Sequence, residues 1–192
     1  MGKERLLAFT DGVVAIIITI MVLELKLPQG TAFRDLLPVA PVFVSYLLSF
    51  VFVAIYWNNH HHLLQLATSV SGPILWANMH LLFWLSLTPY AMRWIGENHL
   101  AALPVALYGV LLLMNAISYT ILVVLLVRHE GPHSALAQAI GSDLKGKVSL
   151  AIYATGVGLA FLQPLLGIAC YAAVAVIWFI PDPRVERVVG AG

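Results

Sequence analysis

The chain alternates long apolar runs with short polar interruptions, and that alternation sets the elements it predicts. A first run, residues 6–27, ends at Pro28, Gln29 and Gly30. A second, 39–62, begins around Pro38 and Pro41 and closes on the sequence Asn58-Asn59-His60-His61-His62. A third, 73–95, follows Gly72 and stops between Pro89 and Gly96, and a fourth, 100–127, is the most uniformly apolar. The stretch "RHEGPHSALAQAIGSDLKGK" is the one long polar loop, and the runs 146–162 and 164–181 follow, divided at Gln163-Pro164. A helix needs about 20 apolar residues to cross a hydrocarbon core of about 30 Å. The pattern therefore predicts an all-α integral membrane protein, a single domain over residues 1–192 with six transmembrane helices. The last two runs are short, and a five-helix count with a re-entrant final pair is the alternative.

Composition agrees with that class. Of 192 residues, 61% are hydrophobic and 10% charged, against about half and about a quarter in soluble domains. The net charge of +1 gives no electrostatic reason to expect a nucleic-acid partner. A lone cysteine, Cys170, rules out an intrachain disulfide and a cysteine-ligated zinc or iron–sulfur site within one chain. The first run is too long for a signal peptide, ends in Glu24 and Lys26 and lacks a small-x-small cleavage site, so it reads as a retained helix. Placing the amino terminus inside gathers Lys3, Arg5, Arg128, Lys145, Lys147, Arg184 and Arg187 on the inner side, against Lys26, Arg34 and Arg93 outside. That bias predicts both termini on the cytoplasmic side. No nucleophile elbow, phosphate-binding glycine loop, H-E-x-x-H or dinucleotide fingerprint occurs, and nothing supports an enzyme or a bound cofactor.

The first run carries the most specific information. At about 100° per residue, Ile16, Ile20 and Leu23 share a narrow face, which Leu27 continues and Thr19 borders. Such a stripe ordinarily faces lipid or a bundle core. Asp11 points nearly the opposite way, whereas Arg5 falls near the stripe, so the two charges do not pair directly on a regular helix. An acid inside a spanning helix should find protein or water and a partner. Docking the Asp11 face within its own subunit leaves the stripe free for symmetry mates, and Gly12, Ala15 and Thr19 permit close approach. Arg5 has three open placements: the cytoplasmic mouth, the lipid headgroups or a neighbouring subunit.

The segment Arg5-Leu6-Leu7-Ala8-Phe9-Thr10-Asp11-Gly12, with the isoleucine-rich run after it, resembles the R-x-x-x-F-S-D signature of the transmembrane-protein-175 potassium channel family. Arg5, Phe9, Thr10 and Asp11 match, with threonine in the usual serine position. Trp57, His60 and His61 resemble the W-x-x-H-H pattern of that family's second helix, and Asn78 through Pro89 a pattern in its third. The resemblance implies a potassium-permeable cation channel without a carbonyl selectivity filter. It also implies a homotetramer of six-helix chains with the first helix lining a central pore, in the cytoplasmic membrane of a prokaryote. Carried onto this sequence, Ile16, Ile20 and Leu23 become rings of a hydrophobic constriction, and Thr19 a candidate for potassium preference. Apolar rings of this kind close a pore by dewetting. The signature's polar residues would tie the first helix to its neighbours, with Trp57, His61, Asn78 and His80 as possible partners of Asp11.

The histidine run raises a metal reading, but consecutive helical residues splay by about 100°, so His60, His61 and His62 cannot share one ion from a regular helix. A hydrogen-bonding role is expected instead. Trp76, Trp84, Trp94 and Trp178 are packing or membrane-interface residues by default. Glu24 and Lys26 are either an interfacial pair in water or part of an acidic vestibule. Two readings compete with the channel: a small secondary transporter or proton-coupled carrier relaying protons through Asp11 and the histidines, and a scaffold whose stripe only mediates assembly.

Overall fold

The computed structural model describes residues 2–179 and is all-helical, with no strand among the described residues. Its helices are α1 (Lys3–Leu23), α2 (Ala40–Leu66), α3 (Gly72–Ser86), α4 (Thr88–Glu97), α5 (Ala102–Glu130), α6 (Ala135–Ile140), α7 (Leu144–Leu162) and α8 (Pro164–Phe179), with a 3-10 turn over Phe33–Val39 before α2. Arg184, Arg187 and the predicted end of the last run at 180–181 lie outside the described residues.

Among the described residues, three elements are long and apolar enough to cross a bilayer by length and composition: Lys3–Leu23, Phe33–Leu66 and Ala102–Glu130. At about 1.5 Å per residue, the 21 residues of α1 span the hydrocarbon thickness with little to spare. The first helix is shorter than the predicted 6–27: Glu24 caps it, and Leu25 to Leu27 lie beyond its end. Residues 73–95 do not form one helix. The chain breaks at Leu87 into α3 and α4, because Pro89 brings no N–H to continue the ladder. The polar loop holds α6, capped by Ser134 Oγ accepting from Ala137 N at 3.1 Å. Asp143, left-handed at φ 45°, caps α7 by accepting from Gly146 N at 3.2 Å. Pro164 opens α8 directly after Gln163, with no loop between.

The bundle is organised around α5, which packs against α3, α4, α7 and α8, while α1 packs chiefly against α2, α3 and α4. One core joins Leu6, Val14, Ile17 and Met21 of α1 to Leu63 and Leu64 of α2, Leu81 of α3 and Leu122 of α5. A second joins Phe52 of α2 to Tyr108 of α5, Tyr153 of α7 and Tyr171 of α8. The α2–α4 contact is close at Gly96, where a Cβ would come within 2.6 Å of Val42 Cα. Polar ties mark the two ends. At one, Lys3 Nζ donates to Ala67 O at 2.7 Å, and Glu130 at the end of α5 accepts from Thr68 N at 2.8 Å. The amino terminus, the α2–α3 turn and the end of α5 therefore share one end of the bundle. At the other end, Arg93 Nη1 meets Glu24 Oε2 at 2.8 Å, and Lys26 Nζ and Arg93 Nε each reach Glu97 Oε1 at 3.0 Å.

Candidate functional site

The face of α1 that docks into the bundle is Leu6, Thr10, Val14, Ile17 and Met21, at i, i+4, i+8, i+11 and i+15. This periodicity turns the helix by about 110° relative to the Ile16–Ile20–Leu23 stripe, on ideal geometry. The stripe consequently lies on the surface of the chain: Ile16 is 58% exposed, Ile20 41% and Leu23 81%. Thr19 is exposed beside it, its hydroxyl donating to Ile16 O at 2.8 Å. Phe9 and Arg5 are exposed as well, and Arg5 forms no ion pair among the described residues.

The signature's inward-facing member is Thr10, which is 2% exposed, rather than Asp11. The expectation that Asp11 would be sunk within the subunit is corrected by the register of the docking face, which passes through residue 10 and leaves residue 11 on its flank. Thr10 heads a buried chain of side-chain hydrogen bonds. Asn78 Nδ2 donates to Thr10 Oγ1 at 3.0 Å, and Asn78 Oδ1 lies 2.7 Å from His60 Nε2. With Asn78 Oδ1 accepting, that nitrogen of His60 carries the proton. These three residues come from α1, α3 and α2, so one run of bonds pins three helices in the apolar interior, where an unmade bond would cost most.

Asp11, exposed on the flank, is not idle. Its Oδ1 accepts from Trp57 Nε1 at 2.8 Å. Of the four partners weighed from sequence, the structure selects Trp57. The other histidines are engaged separately. His61 stacks on Trp57 with ring centroids 5.8 Å apart and lies 2.8 Å from Gln65 Nε2. His80 Nε2 accepts from Trp84 Nε1 at 3.0 Å, and its Nδ1 lies 3.1 Å from Ser118 Oγ. His62 Nδ1 is buried without a partner among the described residues. No group of three or more His, Cys, Asp or Glu side chains converges among the described residues as a metal site would require.

Glu24 and Lys26, left open by the sequence, are both cross-linked to α4 by the Arg93–Glu97 pair. The lysine ammonium first, and Arg93 second, hold the Glu97 carboxyl below the usual carboxylate range. The signal for this strap was the i, i+4 spacing of Arg93 and Glu97, but its reach to α1 needed the fold.

The comparisons converge on the same region. The family model described as endosomal/lysosomal potassium channel TMEM175 matches residues 5–89, a segment that contains Arg5, Thr10, Asp11, Trp57, His60 and Asn78. A protein of Chryseobacterium sp. (strain P1-3) named as a potassium channel is 54% identical over 187 residues, covering 97% of both chains. A second, from Streptomyces collinus (strain DSM 40733 / Tue 365) and also named as a potassium channel, is 26% identical over 185 residues, covering 89% of this chain and 88% of its own. The crystal structure of a lysosomal potassium-selective channel TMEM175 homologue from Chamaesiphon minutus superimposes with a TM-score of 0.81 at 25% identity, covering 92% of this chain and 96% of that one. These relatives are named as channels and not as enzymes. Agreement along nearly the whole length with the Chryseobacterium relative, together with the family match over the signature, places this chain in the TMEM175 potassium channel family.

Proposed function

We propose that the protein is a potassium-permeable cation channel, a homotetramer in which four copies of α1 line a central pore in the cytoplasmic membrane of a prokaryote. Each chain contributes six spans, formed by α1, α2, the broken α3–α4 unit, α5, α7 and α8, with both termini cytoplasmic. The observation that carries this reading is the exposed Ile16–Ile20–Leu23 stripe on a helix whose opposite flank is fastened by Asp11 to Trp57. A single helix encloses nothing, whereas closed cyclic symmetry around such a stripe makes a narrow apolar tube.

In this reading Ile16, Ile20 and Leu23 form stacked apolar rings that dewet when narrow and conduct when slightly wider, and no backbone-carbonyl filter takes part. Thr19 is suited to the polar ring between them. Its proton is committed to Ile16 O, which leaves the oxygen lone pairs free to face a cation. No cofactor is needed, since the permeant ion is the only ligand.

The test is potassium flux from proteoliposomes together with single-channel recording. Unitary currents far above a carrier's turnover are the expected result. A reconstituted, folded protein that passes potassium only at carrier rates would transfer the assignment to the transporter reading.

A further inference from the structure

Away from α1, a cavity of about 40 Å³ lies between α2, α5, α7 and α8. Its walls include Phe52, Tyr56, Tyr119, Tyr153 and Trp178, with the Asp143 carboxylate at the start of α7. The rings are in mutual contact: Tyr56 and Tyr119 at 6.0 Å, Tyr119 and Trp178 at 6.5 Å, and Phe52 and Tyr153 at 6.2 Å between centroids. Trp178 is fixed by its Nε1–H donating to Ser149 Oγ at 2.8 Å. The Tyr56, Tyr119 and Tyr153 hydroxyls make no hydrogen bond among the described residues.

We propose that this cavity is a binding site for a small organic ammonium group, caged by Tyr56, Tyr119, Tyr153 and Trp178 with its charge balanced by Asp143. Aromatic faces attract cations through the ring quadrupole and favour organic ammonium ions, which shed water more readily than metal ions. The Asp143 carboxylate on the wall favours a cationic occupant over a neutral apolar one. An anion would meet the carboxylate. The size also fits: at about 10–15 Å³ per water-sized group, the space admits about three such groups, the heavy-atom count of ethylammonium. Burial raises the Asp143 carboxyl above its usual range, against the Gly146 N–H bond and the Lys147 charge that lower it. Lys147 Nζ is itself engaged with Ser142 O at 2.8 Å. The ammonium has two sources, a free amine or the ethanolamine headgroup of a phospholipid. None of these residues lies on α1, so the fate of this proposal leaves the pore reading untouched.

The experiment is calorimetric titration of the full-length protein in neutral detergent with ethylammonium chloride, with sodium chloride at equal ionic strength as the reference. Saturable binding specific to ethylammonium is expected. Asp143→Asn should weaken it about tenfold, Tyr119→Leu about tenfold, and Tyr119→Phe little, because phenylalanine keeps the ring face. Asparagine tolerates the left-handed backbone and caps a helix, so Asp143→Asn removes the charge and spares the fold. Ethylammonium heat no different from sodium, or wild-type affinity in both Asp143→Asn and Tyr119→Leu, would overturn the proposal. A parallel titration in vesicles assigns the source. Weaker ethylammonium binding in ethanolamine-headed than in glycerol-headed phospholipid identifies the headgroup as occupant, and equal affinity identifies a free amine.

Discussion

Thr10 shows how much one position can decide. Its hydroxyl accepts from Asn78 in a site that excludes water, and Asn78 in turn binds His60. Thr10→Val is nearly isosteric and removes only the hydroxyl. It should lower stability by about 1–3 kcal/mol, the cost of an unpaired buried donor, read as a fall in melting temperature in detergent. Thr10→Ser should retain most of the wild-type value, and a loss in Thr10→Ser with none in Thr10→Val would mean that the methyl, not the hydrogen bond, matters. At the stripe, function is the readout. Ile16→Asn places an amide where dewetting is proposed, so basal potassium leak should rise several-fold in flux assays. Thr19→Ala should change the potassium-to-sodium permeability ratio, and an unchanged ratio would remove Thr19 from the selectivity argument. Sequence alone could list Asp11's possible donors but not choose among them. Trp57, His61, Asn78 and His80 are all polar groups near α1, and only the relative rotation of α1, α2 and α3 decides which one reaches it.

At the scale of elements, α4 is the piece the hydropathy pattern missed. An apolar run without charge from 73 to 92 reads as one helix, and the interruption is carried by Pro89, a signal outweighed by the hydrophobicity around it. Once broken, the chain uses α4 as a bracket. Gly96 lets it lie directly on Val42 of α2, while Arg93 and Glu97 strap it to the end of α1. Because the obstacle is backbone, Gly96→Ala forces the two helices apart and should cost about 1–3 kcal/mol, the usual range for overpacking, measured as lost thermal stability. The strap is also pH-dependent in a defined direction. Glu97 has a depressed carboxyl pKa, so its contribution is present above the ordinary value of 4.5 and disappears as pH falls through the lower folded value. Melting temperatures of wild type and Glu97→Gln should therefore differ at neutral pH and converge in acid. The pair is solvent-exposed, so the difference should be small and should shrink further in high salt.

For the whole molecule, the decisive quantity is how many copies share the stripe. The long apolar helices and their order were legible because a bilayer demands length and hydrophobicity, both of which are written locally. The aromatic cavity was not, because its walls come from four helices separated by more than a hundred residues of chain. Assembly sits between these cases: the stripe is visible in sequence as a period, but a period does not state its partner. A chain bearing Leu23, 81% exposed, beside Ile16 and Ile20 should not remain a monomer once detergent is stripped from that face. If four copies close around α1, chains of 20.9 kDa give a particle of about 84 kDa of protein, since cyclic symmetry fixes a whole number of subunits. Light scattering corrected for bound detergent measures this directly. A cysteine at Leu23, introduced with Cys170 replaced by alanine, should then cross-link copies under mild oxidation. Near the axis it faces its own equivalents at short range, whereas a cysteine at Trp76, exposed on α3, should not. Efficient cross-linking at Trp76 with none at Leu23 would place the symmetry axis on α3, and the pore would have to be sought there instead.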